Sequence, residues 1–218
     1  MNRPRILLAD DHTLIAEGIS KLIEPEFDLI GIVQDGRTLL DKIGQLAPDI
    51  LLLDISLPLI NGIEAAHRIK KLSPTVKVIF LTMHAEPFFI KDAASVGASG
   101  YVLKQSAAGE LIYAIRQALE GRTYFATTTT PEEIEQGGHH SPQASQETPS
   151  PVDSVLTPRQ REILQLVAEG HSNKEIARLL NLSLKTIEFH KNRIMRTVGV
   201  KRTADLTKYA ISHRIVTP

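Results

Sequence analysis

Cysteine is absent from the 218-residue chain. That excludes a disulfide framework, thiolate zinc centres and cysteine nucleophiles, and it fits a reducing compartment. Long apolar runs are absent too. None approaches the roughly 20 residues that span a bilayer, and the opening MNRPRILLADD has four apolar residues before two acids, unlike a secretory signal. The expectation is a soluble cytoplasmic protein with no membrane partner. Net charge is also missing: 25 basic residues balance 25 acidic ones. The balance hides an asymmetry. Residues 1–125 hold 13 basic and 15 acidic side chains, residues 126–154 hold none and five, and residues 155–218 hold 12 and five. A terminal segment of charge +7 points to a polyanionic partner or to a solvated basic surface.

With 42% hydrophobic and 23% charged residues, the composition is that of a globular protein of one or two domains. Three segments are expected: 1–122, a joining stretch 123–154, and 155–218. Between Thr127 and Ser154 the chain is rich in Pro, Ser, Thr, Gln and Gly and nearly free of apolar residues. Such a composition cannot offset the entropy of ordering, so a flexible linker is expected. His139 and His140 lie there without further ligands at suitable spacing and read as solvated linker histidines.

The first segment alternates apolar runs with amphipathic stretches. RILLAD (5–10), DLIGIV (28–33), DILLLD (49–54), VKVIFLT (76–82) and SGYVLK (99–104) read as strands. Ile15, Ile19, Leu22 and Ile23, or Leu39, Leu40, Ile43 and Leu46, recur at helical spacing. Strands made almost wholly of Ile, Leu and Val are covered on both faces. A doubly wound, five-stranded parallel sheet is expected, an α/β unit joined to an all-α one.

In the third segment Thr157-Pro158-Arg159-Gln160 and Ser172-Asn173-Lys174-Glu175 read as capping boxes, Ser183 as a third cap and Thr203 as a fourth. Four short helices follow. On the third, Ile187, Ile194 and Val198 form the core face, while Lys185, Phe189, Asn192 and Arg196 lie opposite, flanked by Glu188 and Arg193. An apolar ring, an amide and an acid among basic side chains suit base edges in a major groove. Lys174, Lys185, Lys191 and Arg193 suit phosphates, and Thr186 joins the candidate surface. The alternative for Phe189 is packing on the first segment of the chain or on a second subunit. His190, at the core edge, is expected to be packed and hydrogen-bonded. On the fourth helix Leu206, Tyr209, Ala210 and His213 align, either to pair two copies or to pack on their own core.

In a parallel sheet the carboxyl ends of the strands share one edge, and ligands bind where strand order reverses. Asp10, Asp11, Asp54, Thr82 and Lys104 all fall at or just past strand ends. Three carboxylates crowd together only with cationic relief, and oxygen ligands suit Mg2+. A carboxylate beside Mg2+ is a plausible phosphoryl acceptor.

LLADDHTLI, LLLDISLPLINGIEA, VIFLTMHA and GASGYVLK resemble the receiver domain of two-component response regulators of the NarL/FixJ type. LTPRQREILQLVAEGHSNKEIARLLNLSLKTIEFHKNRIMRTVGV resembles the LuxR-type helix-turn-helix domain. The resemblance implies a flavodoxin-like receiver and a DNA-binding unit. It implies Asp54 as phosphoacceptor, with Asp11, Asp54 and the Ser56 carbonyl on Mg2+ directly and Asp10 through water. It also implies Lys104 on the phosphoryl group, and Thr82 with Tyr101 as a switch pair. Expected partners are a sensor histidine kinase, double-stranded DNA and, once phosphorylated, a second copy of the chain. A Mg2+-dependent phosphohydrolase acting through an aspartyl phosphate, or a protein- or RNA-binding module, are the alternatives.

Overall fold

The computed structural model of the chain describes residues 3–85, 87–106, 108–126, 156–213 and 215–216. Thr127–Val155, including His139 and His140, lie outside the described residues, so the linker expectation falls almost wholly there.

The N-terminal unit runs β1 (Arg5–Ala9), α1 (Thr13–Ile23), β2 (Asp28–Val33), α2 (Gly36–Leu46), β3 (Ile50–Leu53), α3 (Gly62–Leu72), β4 (Lys77–Thr82), α4 (Pro87–Ser95), β5 (Gly100–Leu103), α5 (Ala108–Leu119) and β6 (Tyr124–Phe125). The sheet order is β2-β1-β3-β4-β5-β6, with every pairing parallel. All four β3 residues are buried, as the unbroken ILLL run requires of a strand covered on both faces. β2, at the edge, buries only Val33. Alternate residues Ile6, Leu8, Ile50, Leu52, Ile79 and Leu81 pack with Ala16, Ile19 and Ile23 of α1 and Leu111, Ala114, Ile115 and Ala118 of α5.

The sheet has six strands where five were expected. After α5, Gly121 takes φ +80°, a conformation open to glycine. Tyr124 and Phe125 then pair with Gly100 and Tyr101, secured by Tyr124 N–H to Ser99 O at 3.0 Å and Ala126 N–H to Tyr101 O at 2.8 Å. β6 thus adds Tyr124 and Phe125 to the sheet. Two residues carry no readable period, which is why β6 was not foreseen.

The C-terminal unit comprises α6 (Pro158–Ala168), α7 (Asn173–Leu179), α8 (Leu184–Thr197) and α9 (Thr203–Ser212). Thr157 with Gln160, and Ser172 with Glu175, form complete capping boxes, and Ser183 accepts from Thr186 N–H. Gly170 and Gly199 follow α6 and α8 with φ +90° and +73°. Ile163, Leu164, Leu166, Ile176, Leu180, Ile187, Ile194, Leu206 and Ala210 make the core.

Two expectations are corrected here. Thr203 is the first residue of α9 rather than its cap. Arg202 holds the cap position without a side-chain cap bond, its guanidinium meeting both Asp205 oxygens at 3.1 Å. Leu206 and Ala210 are fully buried in the unit's own core, with Tyr209 packed against it. Leu206 and Ala210 therefore face inward and do not present a pairing surface, while Tyr209 and His213 are half-buried.

Candidate functional site

β1 and β3 are neighbours although β2 lies between them in sequence, so their carboxyl ends mark the point where strand order reverses. Asp10 and Asp54 follow these ends and are 1% and 3% exposed. Lys104, just past β5, reaches between them: Nζ lies 2.8 Å from Asp10 Oδ2 and 2.8 Å from Asp54 Oδ2, its side chain 2% exposed. Asp11 sits at the rim. Burial pushes the Asp54 carboxyl above its ordinary value, the Lys104 charge and hydrogen bond oppose that, and the Asp10 charge adds to it.

Local backbone holds this geometry. Asp54 N–H donates to Ala9 O at 2.9 Å, and Lys104 N–H to Thr82 O at 2.8 Å. Gly62, at the start of α3, presses onto the Asp54 backbone. A Cβ there would lie 2.1 Å from Asp54 O and 2.9 Å from Ile55 Cα. Only glycine lets α3 come this close.

Asp10, Asp11, His12 and Asp54 offer ligand atoms within 4.8 Å of one another. Asp10 Oδ2 and Asp11 Oδ1 are buried without a hydrogen-bond partner. Lys104 Nζ pairs with the first at 2.8 Å and His12 Nδ1 lies 2.9 Å from the second, neither oriented as a hydrogen bond. Buried, under-satisfied carboxylate oxygens crowded at one point fit a hard divalent cation.

Thr82 and Tyr101 are both fully buried. The Tyr101 hydroxyl donates to His84 O at 2.7 Å, and His84 N–H donates to Thr82 Oγ1 at 3.2 Å. Both members of the expected switch pair thus lie inside the fold, linked through His84. His84 Nε2 also lies 3.1 Å from Ser56 Oγ, and its ring sits 4.5 Å from Phe89. The Ser56 backbone N–H favours the charged form of Asp54 and so opposes the effect of its burial. Sequence reasoning missed His84 and His12. Their positions two residues after Thr82 and after Asp10 were the available signal.

On α8, Ile187 and Ile194 are fully buried, while Lys185, Glu188, Phe189, Asn192, Arg193 and Arg196 are exposed. Phe189 is 59% exposed, a ring left in water at the centre of a charged face. Lys174 is exposed on α7, and Lys191 is half-buried. Thr186 is turned back to the cap, 2.7 Å from Ser183 Oγ. His190 departs from expectation: its Nδ1 is buried without a hydrogen-bond partner. Tyr209 and His213 stack at 3.8 Å on α9.

An acid cluster and a lysine at the switch point of a parallel sheet, in one chain with a capped helical unit exposing a basic face, define a phosphorylatable regulator with a separate output unit. The family model described as "Response regulator receiver domain" matches residues 6–116, and that described as "Bacterial regulatory proteins, luxR family" matches residues 154–210. The chain is 33% identical over 215 residues to the oxygen regulatory protein NreC of Staphylococcus aureus (strain JH9), covering 97% of this chain and 99% of that one. Among solved structures it resembles the RcsB response regulator of Salmonella typhimurium, with TM-score 0.61, 28% identity and coverage of 98% and 99%. It also resembles RcsB in a complex with DNA, with TM-score 0.55, 29% identity and coverage of 97% and 99%. The chain belongs to the response regulators that join a receiver to a luxR-type DNA-binding domain. It is a phosphorylation-controlled transcriptional regulator rather than a conventional enzyme. Among the described residues no helix is long and apolar enough to cross a membrane.

Proposed function

We propose that Asp54 accepts a phosphoryl group from a phosphohistidine of a sensor histidine kinase in the cytoplasm. The phosphorylated chain then pairs as a homodimer and binds duplex DNA through α8. In this reading the receiver extends to about Ala126, residues 155–218 form the DNA-reading unit, and the stretch between them is a linker. The observation that carries the proposal is the Asp54 carboxylate, buried yet 2.8 Å from Lys104 Nζ.

In the transfer an Asp54 oxygen attacks phosphorus, the P–N bond to the histidine breaks, and a P–O bond forms. Lys104 stands beside the oxygens on which charge gathers, so positioning and electrostatics supply most of the catalysis. Asp11, Asp54 and the Ser56 carbonyl would hold Mg2+, with Asp10 acting through water. When bound, Mg2+ supplies further neutralisation of the phosphoryl oxygens. The added dianion offers strong acceptors to the Thr82 hydroxyl, which now accepts from His84 N–H. Movement of Thr82 loosens that bond, and the His84 carbonyl accepts from the Tyr101 hydroxyl. Phosphorylation thus reaches the β4–α4 loop through His84.

On DNA, Phe189 and Asn192 meet base edges and the flanking Lys and Arg side chains meet phosphates. The test of the acceptor is labelling by acetyl phosphate: the unaltered chain gains one phosphoryl group when Mg2+ is present, and Asp54→Asn gains none. Undiminished labelling of Asp54→Asn refutes the assignment.

A further inference from the structure

We infer that His190 is a further DNA contact of α8, donating the hydrogen on its Nε2 to a phosphate oxygen while its other ring nitrogen stays buried. The inference rests on the reading of α8 as the helix that meets duplex DNA, and adds to it a residue that positions the helix without carrying charge.

The two ring nitrogens of His190 differ. Nδ1 is buried and has no hydrogen-bond partner. Nε2 is not buried, and among the described residues it has no partner either. The side chain is half-buried. Its ring stands edge-on to that of Phe189, with centroids 5.7 Å apart and planes at 73°. A hydrogen on Nδ1 would be a buried donor with no acceptor, so this packing favours the tautomer that carries it on Nε2. Packing alone does not account for an imidazole here. An apolar side chain would fill the core edge without an orphaned nitrogen, and an orphaned buried polar atom costs stability. The nitrogen that reaches water is the one with a use.

Position on the helix decides what that nitrogen meets. At about 100° per residue, His190 lies one step round from Phe189, on a flank shared with the exposed Arg193 and Thr197. Lys191 lies on the other flank. An α-helix about 10–12 Å across fills a major groove about 12 Å wide. Its outward face then meets base edges, and its two flanks meet the two sugar–phosphate walls. Phe189 and Asn192 stand on the outward face, His190 and Lys191 on opposite flanks. A charged phosphate oxygen makes the stronger kind of hydrogen bond with an N–H donor. Lys191 brings a point charge on a flexible stem, whereas His190 brings a single directed donor on a packed ring, which fixes how the helix is seated in the groove.

The experiment uses the full chain treated with acetyl phosphate and Mg2+, at pH 8, where an ordinary imidazole is uncharged. Affinity is measured at two salt concentrations for a duplex that the unaltered chain selects from a random pool, and for its scramble. His190→Leu is expected to weaken both roughly tenfold. The salt slope should stay the same, since an uncharged donor releases no counterion. The urea melt of His190→Leu should lie at or above that of the parent, because the orphaned nitrogen is gone. His190→Gln, whose amide nitrogen reaches the place of Nε2, should restore most of the binding. His190→Asn, whose amide ends at the place of Nδ1, should not. In the unaltered chain, long-range proton–nitrogen NMR with labelled histidine should find the hydrogen on Nε2, and that resonance should move when the duplex is added. A loss confined to the selected duplex, a slope lowered by about one counterion, unchanged affinity, stability lost in step with binding, or a ring hydrogen on Nδ1 would each overturn the inference. Unchanged affinity in Lys191→Ala and Asn192→Ala as well would overturn the reading of α8, and this inference with it.

Discussion

Replacing Lys104 by methionine keeps the volume of the side chain and removes the cation shared by two buried carboxylates. Nζ lies 2.8 Å from both Asp10 Oδ2 and Asp54 Oδ2, and all three side chains are at most 3% exposed. Removing one partner of a buried ion pair costs about 3–5 kcal/mol, because the remaining charge is left without compensation. For a receiver of this size that corresponds to a loss of roughly 10–20 °C in melting temperature. The loss should depend on pH. Burial already raises the Asp54 carboxyl above its ordinary value, with Lys104 opposing the rise. Without Lys104 the folded state favours the protonated acid further. A raised carboxyl stabilises the fold below its unfolded value and loses that contribution as pH rises through the folded one. The gap between Lys104→Met and the unaltered chain should therefore be small in acid and widen toward neutrality. Mg2+ should restore more stability to the variant than to the parent, since the ion replaces the missing charge. Calorimetric melts of the receiver transition at several pH values, with and without Mg2+, measure all of this. A variant that melts within about 2 °C of the parent at neutral pH without divalent ions would refute the reasoning, since the expected loss is several times larger.

Three further outcomes are expected. Gly62→Ala must displace the Asp54 backbone, because its Cβ meets Asp54 O at 2.1 Å; urea melts should show a loss of about 1–3 kcal/mol, and acetyl phosphate labelling should slow. Thr157→Ala and Ser172→Ala should each destabilise the helical unit by about 1 kcal/mol, whereas Thr203→Ala, inside α9 rather than at its cap, should change it far less in the same melts. Phe189→Ala and Asn192→Ala should cost roughly 1–3 kcal/mol on a preferred duplex and little on a scrambled one, while Lys191→Ala should weaken both alike and lower the salt slope by about one counterion. Competition binding at two salt concentrations separates these cases.

What was legible in the sequence follows from how local each determinant is. Capping at Thr157, Ser172 and Ser183 involves residues three positions apart, and the structure shows all three bonds. The buried strands announced themselves through runs such as ILLL, and the topology of parallel sheets then brought Asp10, Asp54 and Lys104 to one edge. Features set by distant partners were not legible. His84 matters because it meets Thr82, Tyr101 and Ser56 at once; its spacing from Thr82 hints at the first contact, but not at the other two. The stripe on α9 showed that one face is buried but not against what, and Leu206 and Ala210 proved to be core. Arg202 occupies a cap position without capping, so the neighbouring threonine drew the assignment one residue too far.

The central claim is that phosphorylation of Asp54 governs DNA binding. It is tested most directly by measuring the affinity of the full chain for its preferred duplex before and after treatment with acetyl phosphate and Mg2+, beside Asp54→Asn treated identically. The account predicts a gain of roughly 5–150-fold for the phosphorylated chain, a rise in dimer fraction with it, and no change for Asp54→Asn. Equal affinity and dimer fraction before and after complete phosphorylation, or an equal gain by Asp54→Asn, would contradict it.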